Sequence, residues 1–537
     1  MAELVCLLCH AKRHNFCGMP DVSNHGDPGR LGHALRLSLI AAVTLGACGD
    51  GAVVSPTATV KPGLAVVSGA GATDSVEAIL TTHVTVELGD GKGRPRAGRA
   101  VSFDGAFEVL SSRPLIQVRN SSSGQFASFA IDTTDARGRA SVLVRLGVVA
   151  GSATLSISVV GDTTVRAQAA YSVVAGTPAR VTLSPRDTVL YAGRTFALSP
   201  RATDRHGNVS STVPQYSVAA GPVSVSASGV VSTLQVGRGV VRAIAGTARD
   251  SAFISVPPMG EFTALRPRFL TTDPTLYLAM QLDGSQEISL ESAPGFSEAD
   301  LAWNPNRTEY VFGAGDHDSR LFRSFNGITS PFPPAPVPLQ SLAFPRYSRD
   351  GAWIYFNGRP GHQNGEIWRA RSDGSLVQRI GPQADDFAID AFPDPSPDGS
   401  RLAYATNRVN ALQPVIRLID VGTGTTVNLD VPGVSPRWFP SGNELAYLAV
   451  GPSWGYLTGN RIMRGQGQLA VMNADGTNRR LIPTGVTLWQ PHFDVSRDGK
   501  YLLAVSSTDT LEVIDVATGT TIPLAFARRL HLPHWRD

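Results

Sequence analysis

The strongest constraint on this chain is a unit that recurs through its second half. The segment Pro345-Arg-Tyr-Ser-Arg-Asp-Gly-Ala-Trp-Ile-Tyr-Phe356 returns as Pro393-Asp-Pro-Ser-Pro-Asp-Gly-Ser-Arg-Leu-Ala-Tyr404 and as Pro436-Arg-Trp-Phe-Pro-Ser-Gly-Asn-Glu-Leu-Ala-Tyr447. A fourth copy starts at Pro491 and carries two extra residues before its Asp498-Gly499. A degenerate copy from Leu301 to Phe312 lacks the Asp-Gly pair, and a sixth start, Pro533-His-Trp-Arg-Asp537, stops at the last residue. The starts at 301, 345, 393, 436, 491 and 533 are separated by 44, 48, 43, 55 and 42 residues. A period of this size marks a strand unit that cannot bury its apolar face alone and must pack on its neighbours.

Each complete copy carries a second signature, such as Glu366-Ile-Trp-Arg-Ala-Arg-Ser-Asp-Gly374 or Gln468-Leu-Ala-Val-Met-Asn-Ala-Asp-Gly476. All seven Trp residues lie beyond position 300, so the tryptophan content belongs to this half. The pattern P-x-W-S-P-D-G, an apolar strand, then a strand ending in D-G resembles the TolB-type, WD40-like propeller repeat over residues 262–537. That resemblance implies a β-propeller. Residues 533–537 can supply only the first strand of a unit. The segment from Thr275 to Leu290, with its own Asp283-Gly284, has the look of later strands. Joining the two ends in one sheet closes the ring at six and removes the open edges.

The preceding region is rich in Val, Thr, Ser, Ala and Gly. Runs such as His83-Val-Thr-Val-Glu87 and Ala153-Thr-Leu-Ser-Ile-Ser-Val159 alternate with the period of half-buried strands. Asp90-Gly-Lys-Gly-Arg-Pro and Thr134-Asp-Ala-Arg-Gly-Arg-Ala140 resemble bacterial Ig-like domains of the invasin/intimin type across residues 60–175. Tyr191-Ala-Gly-Arg-Thr-Phe and Ala202-Thr-Asp-Arg-His-Gly-Asn208 resemble the group 2 bacterial Ig-like domain across residues 176–257. The expected fold is therefore all-β: two Ig-like β-sandwiches followed by a six-bladed β-propeller. The resemblance implies spacer modules, with an adhesive role as the alternative.

Residues 1–47 read as a signal segment. Arg30 and Arg36 precede a nine-residue apolar run, Leu37 to Leu45, and small residues lead to Cys48. The run is far short of the roughly 20 residues a membrane-spanning helix needs. Leu45-Gly-Ala-Cys48 resembles a lipobox, which makes Cys48 the expected lipidation site and 48–59 a tether. The membrane is thus expected to be reached through the lipid anchor alone, with the outer membrane favoured over the inner by Gly49. Cys6-Leu-Leu-Cys9-His10 matches a c-type haem attachment pattern, and His14 and Cys17 could complete a zinc cluster. Both lie ahead of the signal and leave with it; a start assigned too early explains residues 1–29, with Met19 a candidate start. No cofactor or metal is expected.

With 47 basic and 44 acidic residues, the chain offers no electrostatic case for nucleic acid. The Asp-Gly pairs read as hairpin turns, where Gly supplies positive φ and Asp bonds the local backbone. Gly451-Pro-Ser-Trp-Gly455 matches the G-x-S-x-G nucleophile pattern but lacks the strand–turn–helix context that pattern needs, and no catalytic residue is expected. Asp316-His317-Asp318, and Asp385-Asp386 with Asp390, could offer oxygen ligands; solvated loop carboxylates are the simpler reading. If both Asp-Gly turns of each unit share one face, the longer loops share the other, and loops on a rigid scaffold are where recognition concentrates. His317, His362, Trp454 and Tyr456 are the candidate binding residues there. The expectation is a monomeric envelope binding or scaffold protein recognising a protein, peptide or glycan. The alternatives are a propeller hydrolase or lyase with a pore-centred site, and an adhesin acting through the Ig-like modules.

Overall fold

The structure is a computed structural model. It describes residues 63–108, 112–121, 124–266, 276–290, 298–314, 319–333, 339–360, 365–383, 388–408, 413–451, 457–458, 461–462, 466–488 and 492–536. Its regular elements are β-strands throughout. Cys48, His317, His362, Trp454, Tyr456, the Gly451–Gly455 serine and the 316–318 and 385–386 carboxylates lie outside the described residues.

The first sandwich sets one sheet of Gly63–Ser68, Val84–Gly89, Arg139–Leu146 and Ile116–Arg119 against a five-stranded sheet that includes Ala100–Asp104, Gly151–Val159 and Asp162–Val174. Arg139–Leu146 alternates between buried and partly exposed positions, as a strand with one covered face must. Its inward residues join Val86, Phe103, Leu155 and Ile157 in one core. The second sandwich is built around Gly237–Ala245 and Ala248–Val256, whose inward Val241, Ala243 and Ile254 pack on Val181, Leu198 and Val231. Its turn at Asp204 to Asn208 reaches back to the first sandwich: Asn208 Nδ2 donates to Val148 O at 2.9 Å, and Asn208 Oδ1 accepts from Ala150 N at 2.9 Å.

Among the described residues six antiparallel meanders follow, each four strands wide along the chain of hydrogen-bonded neighbours. Thr426–Trp438 serves two of them, its first half as the last strand of one sheet and its second half as the first strand of the next. The first strands are Glu298–Trp303, Leu339–Tyr347, Asp390–Pro395, the end of Thr426–Trp438, Phe493–Val495 and His531–Trp535. Each touches the next in that order, and the last touches the first, so they close a ring around a central pore. Closure is made by the C-terminal strand, which pairs Trp535 with Phe262 and His534 with Thr263. The closing sheet then continues through Leu276–Gln281 and Ile288–Leu290, as the sequence implied. The repeat pattern had not marked Glu261–Arg266 as the second strand of that sheet.

The Asp-Gly turns share one face. Gly351, Gly374, Gly399, Gly476 and Gly499 all have positive φ, and the Asp before each accepts the backbone N–H two residues on. In the degenerate copy the same corner is taken by Arg307 at φ 62°.

Candidate functional site at the propeller pore

One residue position in the repeat faces its counterparts around the pore. It lies between the Pro and the aromatic of P-x-W and is filled by Arg346, Asp394, Arg437 and His534. In the copy with two extra residues the corresponding position is Asp494. In the degenerate copy it is Ala302, and Asp300, two residues earlier on the same strand, contributes the charge instead. Six first strands thus bring Asp300, Arg346, Asp394, Arg437, Asp494 and His534 to the pore, acid and base in alternation.

The backbone is shaped to present them. In five of the six first strands the ladder slips just before or at this position, between Glu298 and Leu301, Ala343 and Arg346, Ala391 and Asp394, Val434 and Arg437, and opposite the His531–His534 stretch. Phe344, Phe392, Ser435 and Leu532, each two residues ahead of a pore residue, adopt φ of 54°, 56°, 55° and 50°. A non-glycine residue in the left-handed region is strained, and bulges of this kind re-aim a side chain.

The charges form a chain with one gap. Arg346 Nη1 donates to Asp300 Oδ2 at 3.0 Å, and Arg346 Nε lies 3.8 Å from Asp394 Oδ1. His534 Nε2 is 2.7 Å from Asp300 Oδ1, and its Nδ1 is 3.7 Å from Asp494 Oδ2. Asp394 and Asp494 also clamp the neighbouring sheet, accepting the backbone N–H of Trp438 at 2.7 Å and of Trp535 at 3.0 Å. Five members are therefore inter-sheet staples. Arg437 differs. It is 5% exposed, and among the described residues its Nη1 donates at 3.0 Å only to the adjacent Pro436 O, its Nε has no partner, and it makes no ion pair.

Burial and charge pull the acidities apart. At Asp300 burial opposes ionisation, but Arg346 and His534 outweigh it and hold the carboxyl far below its usual range. At Asp494 burial is again outweighed, by the His534 hydrogen bond and charge, and the pKa is lowered. At Asp394 burial prevails over Arg437 and Arg346 and pushes the carboxyl up to about 6. Burial, with repulsion from Arg346, brings Arg437 down to about 10, which leaves it cationic at neutral pH. Burial takes the neighbouring His492 down to about 3, so that imidazole is neutral.

On the Asp-Gly face a hollow of about 180 Å³ opens beside this ring. Trp303, Tyr347, Trp438 and four prolines supply seven of its ten lining residues, and Asp394 lies in its wall. Arg536 stacks 4.3 Å from the Trp303 ring centroid, and Arg401 4.8 Å from that of Trp438, fixing both indoles. Asp390, considered above as an oxygen ligand, is committed instead to Arg408, whose Nη2 lies 2.8 Å from its Oδ2.

None of the six pore residues was singled out from the sequence. The signal was present, since one column of the aligned repeats is ionisable in five copies of six. Its meaning needs the closed ring, which turns a column into a circle.

No family model matches the chain. A curated relative, the uncharacterized protein Atu1656 of Agrobacterium fabrum (strain C58 / ATCC 33970), is 38% identical over 121 residues, which are 20% of this chain and 40% of that protein. The chain thus spans well under two thirds of that relative's length. Among solved structures, TolB from Acinetobacter baumannii aligns at 14% identity and TM-score 0.41, covering 60% of this chain and 82% of TolB. The oligogalacturonate lyase of Vibrio parahaemolyticus aligns at 10% identity and TM-score 0.34, covering 62% and 86%. A chain of the nidogen/laminin complex aligns at 14% identity and TM-score 0.38, covering 52% and 99%. The fold stands on its own hydrogen-bonded ladders, and the question of a ligand stands on the pore.

Proposed function

We propose that this chain is an envelope binding protein, lipid-anchored at Cys48, whose propeller holds a ligand at its pore. The single observation that carries the reading is the ring of six ionisable side chains set on strained, bulged strands around a concave mouth. Burying such groups costs several kcal/mol unless they are paired, and a purely structural ring has no need of the unpaired Arg437. Rigid strands also position polar groups more accurately than loops can. The two sandwiches act as Ig-like spacers between anchor and propeller.

Photo-crosslinking on intact cells tests this. A photoreactive residue replaces Arg349, an exposed residue lining the hollow, and in a second strain Val213, an exposed residue of the second sandwich. Capture of a partner from position 349 and not from 213 supports the reading. Capture from 213 alone points to an adhesin working through the sandwiches. One observation favours a second reading: a carboxyl near pH 6 beside a pore is poised for general acid–base work. That reading, a hydrolase or lyase, requires turnover of a captured ligand that is lost in Asp394→Asn.

A further inference from the structure

We infer that Arg437 is the anchor for a carboxylate, the free C-terminus of a peptide that enters the pore from the Asp-Gly face. The inference rests on the proposed pore-binding reading and names the chemistry of its ligand. Four of the ring members, Asp300, Arg346, Asp494 and His534, are joined to one another across sheets, with Asp394 at the end of that chain. Arg437 stands between Asp394 and Asp494 in the ring and feels the charge of both, but among the described residues it is in ion-pair contact with neither, and its buried Nε is left without a partner.

Arg437 Nε and Arg346 Nη2, on first strands of the ring, are buried donors without a protein partner among the described residues, and the Ser435 hydroxyl two residues from Arg437 is a further unmet group. A donor surplus calls for a ligand group that only accepts, and an ionised carboxylate is that group. Arg presents its N–H groups in a fixed fork that suits a carboxylate. Asp394 and Asp494, on either side of Arg437 in the ring, can accept the N–H groups a peptide end brings with its carboxylate. Trp303, Tyr347 and Trp438 with the surrounding prolines present aromatic and ring surfaces of the sort that dock extended peptide.

The test uses the full-length protein and random hexapeptides made in two forms, free acid and C-terminal amide. Digalacturonate serves as a competing carboxylate on a sugar. The expected result is selection of free-acid peptides, with amidation weakening binding ~10–100-fold, the range a charge-assisted hydrogen bond commands. Arg437→Gln is expected to weaken free-acid binding by the same factor without lowering the melting temperature, while Arg437→Lys retains part of the affinity. A purely structural Arg437 would lower the melting temperature in both variants and leave the acid–amide ratio of the wild type at one. Equal selection of acid and amide peptides overturns the carboxylate anchor. Selective, Arg437-dependent binding of digalacturonate in place of peptides overturns the peptide assignment. Failure to select either peptide form, while a partner still crosslinks at position 349, overturns this inference and leaves the pore-binding reading standing. Amidation of the peptide needs no variant, so the outcome does not depend on the folding of Arg437→Gln.

Discussion

Trp535→Ala tests ring closure at one side chain. Trp535 is 9% exposed, sits opposite Phe262 on the closing strand, and packs in a core with Leu278, Leu503 and Val513. Truncating a buried Trp to Ala removes its transfer energy and leaves a cavity, together about 3–5 kcal/mol. For domains of some 150–250 residues each kcal/mol moves the melting temperature by about 2–4 °C, so the expected drop is roughly 6–20 °C. Ending the chain after Leu530 goes further. It removes His534 from between Asp300 and Asp494, adding about 3–5 kcal/mol for breaking a buried charged contact. It also leaves Glu261–Arg266 as an open sheet edge. The combined loss, about 6–10 kcal/mol, is comparable to the whole stability of a domain. Thermal melting followed by tryptophan fluorescence is the suitable assay, because all seven Trp residues lie beyond position 300 and the sandwiches are silent. A truncated protein whose fluorescence melts within about 2 °C of the full chain would refute closure by this strand.

Three further outcomes are expected. The folded pKa of Asp394, about 6, is above its unfolded value near 3.8, so its contribution to stability is complete below pH 3.8 and is lost as pH rises through 6. Relative to wild type, Asp394→Asn should therefore gain in melting temperature between pH 4 and pH 7, with Arg437, Arg346 and Asp494 as the charged groups that act on it; a difference that is flat or falls with pH contradicts this. Tyr191 of the second sandwich is buried in the closing-sheet core and donates its hydroxyl to Gly260 O at 3.0 Å. Tyr191→Ala should cost about 3–5 kcal/mol of packing at that junction and broaden the small-angle scattering profile; unchanged scattering argues against a fixed junction. Ser396 Oγ accepts from Arg401 N at 2.9 Å and donates to Asp398 at 2.5 Å, so Ser396→Ala should destabilise the propeller by about 1–3 kcal/mol in urea titration, with no change pointing to a turn held by other means.

How much was legible in the sequence differs by level. The all-β build, the repeat starts and the closing strand could be read because apolar alternation and Asp-Gly turns are local signals. Glu261–Arg266 was missed because it carries neither the Pro-aromatic start nor a D-G end and is defined by its two neighbours in space. The pore ring was half visible: Arg346, Asp394, Arg437 and His534 occupy one column of the repeat, but opposite signs in successive copies look like noise until the copies are arranged in a circle. Asp300 was hidden altogether, since its copy has Ala302 in that column. The bulges at Phe344, Phe392, Ser435 and Leu532 left no sequence mark, because nothing but the fold forces those residues to positive φ. The Asp-Gly pairs were read correctly as turns because the chemistry that makes them turns lies within four residues.

The central claim, that the pore ring holds the ligand, is met most directly by hydrogen–deuterium exchange of the full chain with and without its captured partner. New protection is expected in Leu339–Tyr347, Asp390–Pro395 and Thr426–Trp438, the first strands that carry Arg346, Asp394 and Arg437. Protection confined to the sandwich strands between Gly63 and Val256 would contradict it.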